Sequence, residues 1–239
     1  MTKTRILSLV TVLALAASPA FADTLTLADS YGSTAGGEFN ATVQTGPLSN
    51  AAYSPLTSSG AATFATFCIE VNENISFGPS YNYNVQAAAQ GGGDGGAVGG
   101  FDILSQGSGW LYGQFAAGVL AGYDYGAGRV ASANELQLAL WYLEDESLGA
   151  GQTTGNNGFL LAVSNAYGSL ATAKGVGNTF GVGVLHLTNL DGSAAQDLLY
   201  YGGTPTGFSV TTGVPDGGAT MSLFGLALAG LGVVARRRK

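Results

Sequence analysis

Chemistry-bearing residues are scarce in this chain. It has one cysteine, Cys68, one histidine, His186, and charged residues make up only 10% of the sequence. A lone cysteine excludes a disulfide framework. With no C-x-x-C or H-x-x-x-H spacing, a zinc site is excluded as well. Ser-His-Asp hydrolysis would have to use His186, yet no G-x-S-x-G elbow accompanies it. The alternating segment around His186 predicts a half-exposed strand histidine. No acid-base pair emerges, so the chain does not read as an enzyme, and nothing calls for a cofactor. Positive charge is also scarce: between Asp23 and Gly213, fourteen acidic residues face only Arg129 and Lys174. Such a body repels nucleic acid and anionic membrane surfaces.

What is present lies first at the two ends. Lys3 and Arg5 precede an apolar run from Ile6 to Ala17, and Ala20-Phe21-Ala22 supplies a small-x-small cleavage site. Together these describe a signal peptide over residues 1–22. At the other end Val214-Pro215-Asp216-Gly217-Gly218 precedes an apolar stretch from Ala219 to Ala235 and a basic stop, Arg236-Arg237-Arg238-Lys239. An ordinary membrane anchor has the last two parts. The three-part order over residues 214–239 resembles the PEP-CTERM class of exosortase sorting signals, in the variant whose motif is Val214, Pro215 and Asp216. The resemblance implies export, transient anchoring in the inner membrane by the tail, cutting by an exosortase-type enzyme, and delivery to the cell surface or extracellular matrix.

Between these ends, residues 23–213 suffice for one domain with its own core. Alternating segments at Thr24 to Leu27, Glu38 to Gln44, Ala62 to Val71, Tyr81 to Val85, Thr179 to Leu187 and Phe208 to Thr212 predict strands. Helical spacing marks Gly109 to Ala121 and Asn157 to Ala173. Between them, Ser132-Ala133-Asn134-Glu135 has the form of a capping box opening a buried helix that ends near Glu146. The expected fold is α+β: a single β-rich domain, sandwich- or barrel-like, with a cluster of about three helices. Gln90 to Gly100 is a glycine-dominated loop; one G-G-x-G copy does not make a calcium-binding repeat.

Two residues are out of place in a bland domain. Cys68 has no partner for a disulfide, and Gln137 puts a carboxamide inside an apolar helix, on the same face as Trp141. A buried amide left unpaired costs about 1–3 kcal/mol. The phrases Phe67-Cys68-Ile69 and Leu136-Gln137-Leu138-Ala139-Leu140-Trp141 resemble the two signature motifs of bacterial thioester domains. Leu136 stands where the best-known adhesin members carry threonine. The resemblance implies that the Cys68 thiol attacks the Gln137 side-chain carbonyl, expels ammonia and leaves an internal thioester. A surface amine or hydroxyl, on protein or polysaccharide, would then be acylated. Phe67, Leu140 and Trp141 are expected to wall the bond from water. Glu70 and Glu144 are expected as exposed carboxylates that could relay protons, and the scarcity of lysine suits a protein carrying an amine-reactive group. The alternative is a non-covalent component of an extracellular polysaccharide or biofilm matrix. In that reading Cys68 is an inert buried thiol, and exposed Tyr81, Tyr83, Tyr200 and Tyr201 stack on sugars or on other copies.

Overall fold

The structure is a computed structural model, and it describes residues 23–32, 36–50, 62–90, 99–147 and 157–202. Its centre is a six-stranded antiparallel sheet built from β1 (Thr24–Asp29), β2 (Phe39–Val43), β3 (Thr63–Thr66), β4 (Ser80–Gln86), β7 (Val182–Asn189) and β8 (Leu198–Tyr201). The strands lie in the order β3-β2-β1-β4-β7-β8. A short hairpin, β5 (Ala88–Gln90) with β6 (Phe101–Ile103), stands apart from this sheet.

The two edges of the sheet meet. Thr66 Oγ1 donates to the Leu199 carbonyl at 2.6 Å, Leu199 N–H donates to the Phe67 carbonyl, and Ile69 N–H donates to the Asp197 carbonyl. Cys68 itself bridges to Leu198. The sheet is thus nearly closed, with its seam along residues 66–69 and β8, and open edges that would invite foreign strands are covered.

Alternation sorts the apolar side chains into two cores. Leu25, Leu27, Ala41, Val43, Phe64, Tyr81, Tyr83, Leu185, Leu187, Leu198 and Tyr200 pack inside the sheet. On the outer face of the seam, Ala65, Phe67, Val182, Val184 and Leu199 pack with the helices. β7 and β8 are therefore apolar on both faces, which is why Leu198-Leu199-Tyr200-Tyr201 shows no alternation and is not recognisable as a half-buried strand. The expected strand at Phe208 to Thr212 lies outside the described residues.

There are four helices among the described residues: α1 (Gln106–Ala116), α2 (Arg129–Leu143), α3 (Gly158–Tyr167) and α4 (Leu170–Ala173). The expected span Asn157 to Ala173 is broken at Gly168, whose φ of 79° ends α3 in the left-handed conformation. α2 begins a turn before the expected capping box. Asp124 accepts from the N–H groups of Gly126 and Gly128 and shapes the entry; Ser132, inside the helix, accepts from Asp124 N–H. Glu135 reaches outward instead, to Gly158 N–H. As its all-round apolar pattern predicts, α2 is buried on both sides: Ala133, Leu136 and Leu140 join the helical core, and Trp141 the sheet interior. Among the described residues no helix is long and apolar enough to cross a membrane, and residues 219–235 lie outside that set.

Candidate functional site

Cys68 sits in the seam just beyond β3, buried, with its side chain among the residues of the sheet interior. Gln137 projects from the middle of α2 and is 1% exposed. The structure brings these two together across 69 residues of sequence. Gln137 Oε1 accepts from Cys68 N–H at 3.1 Å, and Gln137 Nε2 donates to the Cys68 carbonyl at 2.9 Å. A second backbone donor, Gly37 N–H, reaches the same Oε1 at 3.1 Å.

Both lone pairs of the carboxamide oxygen are thereby engaged by amide protons, and the carbonyl carbon is polarised. Two backbone N–H groups aimed at one carbonyl oxygen have the form of an oxyanion hole, which stabilises the charge that appears on that oxygen when a nucleophile adds to the carbon. The hole depends on glycine. Gly36 and Gly37 have φ of 98° and 112°, and a Cβ on Gly36 would lie 2.9 Å from the Trp141 ring and 3.1 Å from Gln137 Cγ. Trp141 thus lies beside Gly36, next to the Gln137 side chain. Phe67 and Leu140 do not: adjacent strand residues point to opposite faces, so Phe67 lies against Tyr112 and Phe115 in the helical core, and Leu140 joins it there.

The glycine segment is pinned from behind. The next residue, Glu38, is 1% exposed and takes a two-pronged ion pair from Arg129 at the start of α2, with Nη2–Oε1 at 2.5 Å and Nε–Oε2 at 2.9 Å. Tyr123 also donates its hydroxyl to Glu38. Arg129 and Gln137 therefore hold two adjacent residues of one loop from two turns of one helix. Sequence reading missed this: Gly36-Gly37 is visible as a turn signal, but nothing local says where the Gly37 N–H points.

Burial pushes the Cys68 thiol far up, and the nearby Glu73 carboxylate adds to that shift. Glu73 itself is pushed up to about 7, by burial and by Asp197, whose backbone N–H it accepts at 2.9 Å. The carboxylates expected at the surface are corrected. Glu70 is fully buried, and Glu144, 4% exposed, accepts from Ser105 N–H at the start of α1, with its carboxyl pushed up to about 7 by burial. Each is inside because two chain segments converge on it, which strand and helix periodicity do not reveal.

His186 is likewise buried, not half-exposed. Its Nδ1 lies 2.7 Å from Oδ1 of Asp197, the residue just before β8. Burial works against its charged form, but the Asp197 carboxylate outweighs this and raises its pKa. Tyr81, Tyr83 and Tyr200 belong to the sheet interior and are at most 4% exposed, while Tyr201 is part-buried. They do not form the exposed stacking surface expected of them. Lys174 is held by Asp145 and lies over the Tyr142 ring, 4.1 Å from its centroid.

Residues 213–239 match the family model of the VPDSG-CTERM motif, with Gly217 where the motif's name has serine. The chain therefore carries a C-terminal sorting motif of exported, surface-directed proteins, the kind of signal processed by an exosortase-type enzyme, and Val214, Pro215 and Asp216 lie within it. No curated protein and no solved structure matches the chain.

Proposed function

We propose that the domain forms an internal thioester between Cys68 and Gln137 and uses it once, to attach covalently to a nucleophile on a partner surface. The observation that carries this reading is the Gln137 carboxamide held against the Cys68 peptide, with its oxygen between the Cys68 and Gly37 N–H groups.

In the first step the Cys68 sulfur adds to the Gln137 side-chain carbon. The oxyanion forms on Oε1 between the two N–H donors, the C–N bond breaks, and the thiol proton departs with the nitrogen as ammonia. Holding the Gln137 carboxamide against the Cys68 peptide supplies proximity in place of the high concentration that thiol attack on an amide would otherwise need. In the second step a surface amine or hydroxyl adds to the same carbon and Cys68 leaves as thiol, so that an amide or ester joins the partner to α2. The reaction turns over once and regenerates no starting state, so the domain is a covalent binding protein and not an enzyme. After export, the sorting tail passes to an exosortase-type enzyme, and the domain works at the cell surface or in the extracellular matrix, on protein or polysaccharide.

The test is the intact mass of chain purified without reductant at neutral pH. The expected mass is about 17 Da below that of the same processed form with a free thiol and carboxamide, the ammonia lost on acyl transfer. Cys68→Ala and Gln137→Ala restore the full mass and abolish labelling by methylamine. Labelling that survives either substitution, or a full mass with Cys68 alkylatable after unfolding, overturns the reading.

A further inference from the structure

Two residues beyond Cys68, and close to the end of α2, lies a cluster of buried carboxylates that the proposed thioester chemistry does not use. Glu70, Asp102 and Glu146 each present a carboxylate oxygen there, all within 4.8 Å of one another. They come from three separate places: the segment after β3, strand β6, and the turn that follows α2. Glu70 is fully buried, and neither of its carboxylate oxygens has a hydrogen-bond partner; Asp102 Oδ2 is unpartnered as well. Asp102 and Glu146 are also buried, each 6% exposed. Glu146 already accepts from Val71 N–H at 2.9 Å, so the segment after β3 and the turn after α2 are tied together beside the cluster.

A buried carboxylate without donors takes up either a proton or a compensating charge, and burial together with Glu146 pushes Glu70 up to about 9 when no cation is bound. The ion pairs among the described residues place Arg129 on Glu38, Lys174 on Asp145 and His186 on Asp197. These are the cationic side chains of residues 23–213, and each is committed elsewhere. The donor set is all oxygen, with no thiolate or imidazole, which suits a hard divalent cation. The oxygens all lie within 4.8 Å of one another, no wider than two calcium–oxygen bonds of about 2.4 Å laid end to end. Calcium also accepts bidentate carboxylates and sheds water more readily than magnesium, as a cluster of buried carboxylates demands.

We propose that Glu70, Asp102 and Glu146 form a calcium site that fastens the Cys68-bearing segment to the C-terminal end of the Gln137-bearing helix. The site does not depend on the thioester. It belongs to the folded domain whether or not that bond has formed.

The experiment is a titration of the purified full chain, stripped with EDTA, with calcium chloride and separately with terbium chloride. Melting temperature and terbium luminescence are the readouts. Calcium should raise the melting temperature by about 5 °C at millimolar concentration, with half-saturation near or below about 1 mM as in extracellular calcium modules. Terbium emission should rise saturably and be reversed by calcium. Glu70→Gln, which keeps the shape, removes both responses, and Asp102→Asn weakens both by at least about tenfold in midpoint. Asp191→Asn, in an exposed turn, keeps both; Cys68→Ala keeps both as well, which separates this site from the thioester reading. No response of the wild-type chain up to about 10 mM calcium, retention in folded Glu70→Gln, or an equal response to magnesium would each overturn the proposal.

Discussion

Two polar sites flank the second half of α2, and they are built on opposite terms. At Gln137 the carboxamide is met by three backbone groups, and every contact is neutral. At Glu146, about two and a half turns further on, three carboxylates converge and Glu70 brings two oxygens with no donor. The first site is complete as folded, with the carboxamide oxygen and nitrogen both engaged by backbone groups. The second is incomplete as folded and its strain is electrostatic. Buried polarity in this protein is tolerated either by saturating it with backbone amides or by leaving it for an external charge, and the two solutions are fastened to the same pair of chain segments.

The contrast can be broken most severely at the seam. Replacing Cys68 or Gln137 by alanine removes the proposed crosslink. For a closed loop of about 70 residues this should lower stability by about 4 kcal/mol, read as a fall in denaturation midpoint relative to unreduced wild type. Gln137→Ala should be the worse of the two, because it also leaves the Gly37 and Cys68 amides without their acceptor. Gly36→Ala is the next largest. The added methyl meets Trp141 at 2.9 Å in a backbone conformation that alanine disfavours, and the Gly37 donor moves with it. Loss of one oxyanion donor should slow ammonia release by about 10²-fold, followed by mass against time after refolding.

Titration sharpens the other half of the comparison. Glu144 has a folded-state value of about 7 against an ordinary 4.5, so the folded chain binds its proton first on acidification. The stability this contributes is fully present below about 4.5 and lost as pH rises through about 7, on the order of 3 kcal/mol for a group so buried. Glu73, at about 7, and Asp102, at about 6, act in the same direction. Calcium-free protein should therefore melt several degrees lower at pH 8 than at pH 5, and saturating calcium should shrink that difference. The smallest effect belongs to the surface. Lys174→Ala, which removes a pair with the exposed Asp145 carboxylate, should change stability by less than about 1 kcal/mol in the same denaturation assay.

Much of the seam was legible in the sequence because its parts are anomalies. A carboxamide on an otherwise apolar helix demands a partner, and that of Gln137 is the Cys68 peptide. The strands with one face to the interior, such as Phe39–Val43 and Ser80–Gln86, were legible from alternation. β8 was not, since both of its faces are covered. Nor was the burial of Glu70, Glu144, His186 and Tyr81, because a residue's own neighbours in sequence do not reveal a second segment arriving from a hundred residues away. The hold of Arg129 on Glu38, 91 residues apart, is legible only once the barrel and α2 are assembled.

β8 leads toward the sorting tail, and its position has a mechanical meaning. It is gripped on one side by β7 and on the other by residues 67–69, with hydrogen bonds running across the strand. Tension arriving from beyond Tyr201 pulls along the strand axis, so these bonds are sheared together and cannot be unzipped one at a time. A cell-surface protein tugged from its C-terminal side would meet its greatest resistance there, beside the cysteine.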